Sequence, residues 1–304
     1  MSTEKKPSEK EIWKQLSRSY GTDRAEQLVQ LSHLSYDRGD YKTALALCEN
    51  AKEIYESQKD ISSTQELLHV YEGITWSLRK LDRDAEAAQL AVAAFEFLKE
   101  DHPGEAVDML RSAGEFYFSA GETEKALQCH LQVMQEVDPD NTDLTIGLDH
   151  YSVGFLTQKL GRYDLAITHL KKAREYFKNE KDPGKVYYCD EYLAVSYIAL
   201  NNCVDGLDHA QKALDFALTA QNEDLEIQAR FRMGCVKVLL SEFDEALDHL
   251  RKALSMNVHN KDTDWSLTID IEKEIANILV IKGQLNEAVE IKRRITTLEE
   301  TLCA

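Results

Sequence analysis

Apolar and small residues recur along the chain at offsets of three, four and seven, each run forming one stripe of a 3.6-residue helix, and the stripes come in pairs split by a short polar break. After Gly161-Arg162-Tyr163 come Ala166, Leu170 and Ala173. Forty residues later Ser241-Glu242-Phe243 is followed at the same offsets by Ala246, Leu250 and Ala253. Asn201-Asn202-Cys203, with Gly206, Ala210 and Ala213, lies between them. Further copies start at Gly39-Asp40-Tyr41, Asp82-Arg83-Asp84, Gly121-Glu122-Thr123 and Gly283-Gln284-Leu285. The breaks at 39, 82, 121, 161, 201, 241 and 283 are spaced by 43, 39, 40, 40, 40 and 42 residues, which makes seven units.

Each unit predicts two helices. The stripe before the break (Leu110, Ala113, Gly114, Tyr117; or Leu193, Ala194, Tyr197) is the first, and the alanine-rich stripe after it is the second, where small side chains allow close helix approach. The break residue is usually Gly or Asn, the types that enter a left-handed conformation at least cost. Acids follow in the first turn of the second helix (Glu86, Glu124, Asp164, Asp205, Asp244, Glu245, Glu287), where the helix dipole favours them. Asp101-His102-Pro103-Gly104, Asp138-Pro139-Asp140-Asn141, Asp182-Pro183-Gly184, Asn222-Glu223-Asp224 and Asn260-Lys261-Asp262 read as joints between units.

This pattern resembles the tetratricopeptide repeat family, with its Gly-x-aromatic hinge and its small residues at fixed offsets, over roughly residues 25–302. The Asp82 and Asn201 hinges lack glycine, and the period is near 40 rather than the family's 34. Units of this length are similar to those of kinesin light chains, polarity-protein adaptors and bacterial Rap-type peptide-sensing proteins. The expected fold is all-α, a right-handed superhelical solenoid of seven helix-turn-helix repeats. Residues 1–7 are expected to be a disordered terminus. Residues 8–24 are expected to be a capping helix, opened by the capping box of Ser8 and Glu11, and residues 25–304 the repeat array.

Composition narrows the function. The formal charge is −18, with 36 Lys and Arg against 54 Asp and Glu, a field that disfavours nucleic acid and anionic membrane and weakly favours basic partners. Six cysteines (Cys48, Cys129, Cys189, Cys203, Cys235, Cys303) show no C-x-x-C and suit reduced thiols in a cytoplasmic protein. No secretory signal and no run of spanning length is found. Phosphate loops, H-E-x-x-H and G-x-S-x-G are absent as well, so no enzymatic activity and no cofactor or metal is expected.

By resemblance to the family, the first helices carry the binding face. Counting back from each hinge places Tyr36, Trp76, Phe118, Tyr151, Phe155, Tyr188, Tyr192 and Phe231 there, with Arg79, Arg111 and Arg232 among the cations and Glu26, Asp37, Glu72, Glu191, Asp270 and Glu274 among the acids. The dicarboxylate clamp of chaperone-binding members is not matched, since only Lys273 and Asn277 show its opening spacing and no complete units follow them. His169, His209 and His249 fall forty residues apart at one place in three second helices, a ladder better suited to packing or hydrogen bonding than to metal. The leading expectation is a scaffold or adaptor that receives a peptide or helical segment of a protein partner. A peptide-sensing regulator, a structural subunit and a homo-oligomer stand beside it as alternatives.

Overall fold

The computed structural model describes residues 8–57, 64–137, 144–261 and 263–302. The expected disordered terminus 1–7, the Asp138–Asn141 joint, Asp262 and Cys303 lie outside the described residues. The chain forms two compact units, Met1–Asn141 and Thr142–Ala304.

The first unit holds α1 (Glu9–Leu16), α2 (Gly21–Asp37), α3 (Tyr41–Ser57), α4 (Thr64–Lys80), α5 (Asp84–Leu98), α6 (Pro103–Ser119) and α7 (Thr123–Glu136). The second holds α8 (Leu144–Lys159), α9 (Tyr163–Asn179), α10 (Pro183–Ala199), α11 (Cys203–Ala220), α12 (Glu223–Leu239), α13 (Phe243–His259), α14 (Trp265–Ile281) and α15 (Leu285–Leu302). Helices pair as hairpins, α2 with α3 through α14 with α15, and each hairpin packs on the next within its unit. The described residues contain no strand.

All seven hinge residues have positive φ: Gly39, Gly121, Gly161 and Gly283 at 72 to 79°, and Asp82, Asn201 and Ser241 at 55 to 60°. Each hinge closes the first helix with the same pair of bonds. At Gly161 the amide donates to Gln158 O at 2.9 Å and the next amide, Arg162, donates to Thr157 O at 2.8 Å. The non-glycine hinges make these bonds too, as Ser241 to Val238 O and Glu242 to Lys237 O show. Satisfied carbonyls therefore hold three side-chain-bearing residues in a conformation that L-residues ordinarily avoid. The residue after the hinge then accepts the first bond of the second helix, as in Ala166 N to Arg162 O.

The repeated alanines are the tight contacts. Ala87, Ala126, Ala166 and Ala246 have no exposed surface, and neither do Ala94, Ala173 and Ala253 seven residues later, nor Ala213 at the equivalent place after Gly206. On the facing first helix a glycine does the same: a Cβ at Gly154 or Gly234 would fall 2.6 or 2.5 Å from the Leu170 or Leu250 side chain.

The N-terminal segment departs from expectation. Ser8 and Glu11 do form their capping box, the Ser8 amide donating to Glu11 Oε2 at 2.7 Å. The helix stops at Leu16, however, and Gly21, at a φ of 57°, already leads into α2. The segment 8–24 is thus a two-turn helix and the start of the next one, tied by Arg24 Nη1 donating to Leu16 O at 3.1 Å and by the Arg38–Glu9 ion pair.

Candidate partner-binding faces

In the first unit the inward stripe of α2 and α4 builds a groove. Tyr36, Asp37, Ser32 and His33 from α2 face His69, Glu72, Trp76 and Ser77 from α4 across a recess of about 470 Å³, floored by Ala44 and Cys48 of α3 and by Gly73. Gly73 keeps the floor flat: a Cβ there would stand 2.9 Å from Cys48 Sγ, which itself donates to Ser32 Oγ at 3.1 Å. Trp76 is 50% exposed, and its indole meets Phe116 edge-on at 6.5 Å. Arg79 spans the two rings, its guanidinium 5.4 Å from the Trp76 centroid and 5.0 Å from that of Phe116, while also facing Asp84 at 3.5 Å. The indole is therefore held in place yet open to solvent. Tyr36 rests edge-on against Tyr41 at 5.1 Å. Phe118 is 38% exposed, and Arg111 pairs with Asp108 at 2.7 Å.

The groove continues toward the N-terminal ends of α2 and α4 into a second recess of about 290 Å³, lined by Glu26, Val29, Gln30, Tyr55, Glu66 and His69. Glu66 Oε2 is buried there with no hydrogen-bond partner. Burial first, and then the charges of Glu26 and Glu66, push the Tyr55 phenol up to about 12. His33, His69, Glu66 and Gly73 escaped the reading of the sequence. The signal was present, because stepping back from Tyr36 and Trp76 by three to four residues at a time along the same stripe gives 33 and 29, and 73, 69 and 66.

In the second unit the first helices touch in succession, α8 to α10, α10 to α12 and α12 to α14. Three expected residues come together: Tyr192 meets Tyr151 at 5.8 Å and Phe155 at 5.3 Å, both edge-on, and Lys159 lies over Phe155. Gln158 bolts α8 to α10, donating to Tyr192 O at 2.7 Å. All three rings are only half-buried, whereas Tyr188 is 45% exposed beside Tyr187. Phe231 is a correction. It is 7% exposed and belongs to the core with Ile227, Leu250 and Ile275, because the α12 stripe turns its ring toward α13 and α14 and leaves Arg232 lying over it at 4.9 Å. Arg232 Nε donates to Glu191 Oε2 at 3.2 Å, and Glu191 Oε1 is buried and unpartnered. Burial raises the Glu191 carboxyl despite the opposing pull of Arg232. Burial likewise pushes the Cys235 thiol up to about 12, against the pull of Arg232 and with Glu274, Glu191 and Asp270 adding to it.

The histidine ladder lies within successive hairpins. His169 and His209 each meet the first-helix residue nineteen positions earlier, His150 and Asp190, whereas His249, with Arg230 nineteen positions earlier, keeps its Nδ1 buried without a hydrogen-bond partner. His150 and His169 join their Nδ1 atoms at 3.0 Å, so one donates and both cannot be charged. Burial, then His169 and Lys172, push His150 down to about 4 against the opposing Asp149, and burial and Lys172 lower His169; Tyr176 packs on the pair. His249 is lowered by burial, Arg230 and Lys237, with Asp248 and Glu245 opposing. These groups stay neutral when folded but take up protons near pH 6.5 when unfolded. Their stabilisation is therefore present above that pH and is lost as pH falls toward 4. The expected result is a drop in the urea midpoint between pH 7 and pH 4.5, of which about 2 kcal/mol disappears in the His150→Gln variant. An unchanged pH dependence in that variant would remove the pair as its source. Among the described residues no group of three His, Cys, Asp or Glu is placed to hold a metal ion, and no helix is long and apolar enough to cross a membrane.

The model of the family described as soluble NSF attachment protein, SNAP, matches residues 22–202, more than half of the chain. The chain belongs to the SNAP family. No curated protein matches its sequence significantly. Among solved structures, this SNAP-family chain is similar to BtubC (BKLC) from P. vanneervenii, with a TM-score of 0.59 and 15% identity over 74% of this chain and 92% of that one. It is also similar to the apo form of RapI, with a TM-score of 0.59 and 15% identity over 91% and 77% of the two chains. A third likeness is to a signal-transduction ATPase with a tetratricopeptide-repeat sensor from Pyrococcus horikoshii, with a TM-score of 0.66 and 14% identity over 97% of this chain and 45% of that one. At such identities the likeness is one of fold, and it is the tetratricopeptide-type helical repeat expected from the hinges.

Proposed function

We propose that this SNAP-family chain is a non-catalytic adaptor whose α2–α4 groove receives a segment of a partner protein. The observation that carries this reading is Trp76, half exposed at the rim of a 470 Å³ recess and held there by Arg79 and the edge of Phe116. A rigid aromatic with one open face beside a concavity is the anchor that protein interfaces favour. The family, described by the attachment of another protein, and the tetratricopeptide-repeat fold both support an interaction role.

The test compares wild type with Trp76→Ala. Both are expected to be equally helical by circular dichroism, with unfolding free energies matching within about 1 kcal/mol, because the indole is half in solvent already. A partner captured by wild type from the native lysate, then purified and titrated, is expected to bind the variant about 30-fold more weakly. Equal binding would place the partner elsewhere, and an unfolded variant would make Trp76 a core residue.

A further inference from the structure

The two recesses of the α2–α4 groove differ in chemistry, and the difference defines an occupant. The larger, at the C-terminal ends of α2 and α4, offers the Trp76 and Tyr36 rings over a floor of Ala44, Cys48 and Gly73. The smaller, at their N-terminal ends, sets Glu26 and Glu66 around the Tyr55 ring and leaves Glu66 Oε2 buried without a partner. Asp37 and Glu72 add two more carboxylates along the larger recess, and His69 joins the two recesses. No lysine or arginine is among the described residues lining either recess. Arg79, one turn beyond Trp76 on α4, is engaged by Trp76, Phe116 and Asp84.

We propose that the groove selects a short extended segment bearing an arginine or lysine that enters the Glu26–Glu66 recess and a large apolar side chain that packs on Trp76 and Tyr36. A buried carboxylate oxygen without a donor is costly, and a guanidinium or ammonium group supplies that donor together with the opposite charge. An acidic or phosphorylated segment would instead bring like charge against four carboxylates. The spacing follows from the helix. Glu66 and Trp76 are ten residues apart on α4, about 15 Å along its axis, which an extended strand covers in four to five residues. The segment therefore carries its cation and its apolar anchor about four or five residues apart. This inference rests on the adaptor reading and names the class of partner for the same groove.

The experiment uses the full-length chain and a positional-scanning library of labelled octapeptides, read by fluorescence anisotropy. Selected peptides are expected to hold Arg or Lys four or five positions from Leu, Met, Phe or Trp. In the best of them, replacing Arg by neutral citrulline is expected to weaken binding about tenfold. The Glu66→Gln chain is expected to lose the same factor for the arginine peptide and almost none for the citrulline one, the signature of a direct pair. Trp76→Ala is expected to weaken both. Equal affinity for arginine and citrulline peptides, or enrichment of acidic ones, overturns the proposal while leaving the adaptor reading intact. Absence of any peptide binding beside a Trp76-dependent protein partner overturns it in the same way. If neither peptides nor a protein partner depend on Trp76, the adaptor reading falls with it.

Discussion

Replacing Gly234 by valine is expected to cost about 3 kcal/mol or more and to lower the thermal midpoint by several degrees, making it one of the two most damaging substitutions anticipated here. A Cβ at this position would lie 2.5 and 2.6 Å from Leu250 Cγ and Cδ2, and Leu250 is fully buried in the core shared by α12, α13 and α14. The leucine cannot swing toward solvent, so the helices must part or the side chain must leave its rotamer. Higher helix propensity gives back less than about 1 kcal/mol. Gly206→Ala is the control, because its nearest neighbours would stand 3.6 Å away, an ordinary contact, and the change is expected to be neutral or slightly stabilising. Urea unfolding followed by circular dichroism compares the two. Similar losses from both would mean that glycine acts at 234 only through its backbone.

Truncating Asp190 to alanine is expected to cost about 3 to 4 kcal/mol. This carboxylate is 2% exposed and accepts from Arg174 Nε at 2.8 Å, Arg174 Nη2 at 3.2 Å and His209 Nδ1 at 2.6 Å. One removal leaves the Arg174 guanidinium only the exposed Glu175 carboxylate at 3.7 Å and strands an imidazole stacked on Tyr197 with 11° between the rings. Leaving a charge without its partner costs far more than the pair is worth as a whole. Replacing Arg174 by methionine in the same chain is therefore expected to recover part of the loss. Equilibrium unfolding of the single and double variants decides it, and a loss below 1 kcal/mol for Asp190→Ala would show that water replaces the carboxylate freely.

The repeat, its seven hinges and the hairpin pairing were legible in the residues because each rests on a local rule: period, alanine spacing and a left-handed closing residue. Asp82 and Ser241 show how far that rule reaches, since the place in the period predicted the backbone where the residue type did not. Helix rotation was harder to read. Two residues on adjacent sides of α12, Phe231 and Arg232, were both assigned inward, and only packing against α13 and α14 separates a buried ring from the cation above it. The groove of α2 and α4 was half visible. Its aromatics stood out by size, whereas Glu66 and His69 look like any polar residues on an exposed helix until a neighbouring helix encloses them. The end of α1 at Leu16 was missed although Gly21, at a φ of 57°, marks the entry to α2.

Polar contacts between helices, among the described residues, fall either between hairpins or within one. Arg232 to Glu191 and Gln158 to Tyr192 reach across hairpins, so each constrains two units at once. The nineteen-residue pairs lie inside one hairpin, where His169 meets His150 and His209 meets Asp190. A hairpin copied or moved along the array takes both members of its pair with it. The His150–His169 pair would travel intact, whereas Asp190 would leave Arg174 behind on the preceding hairpin, so the ties between hairpins fix the order in which they can be neighbours.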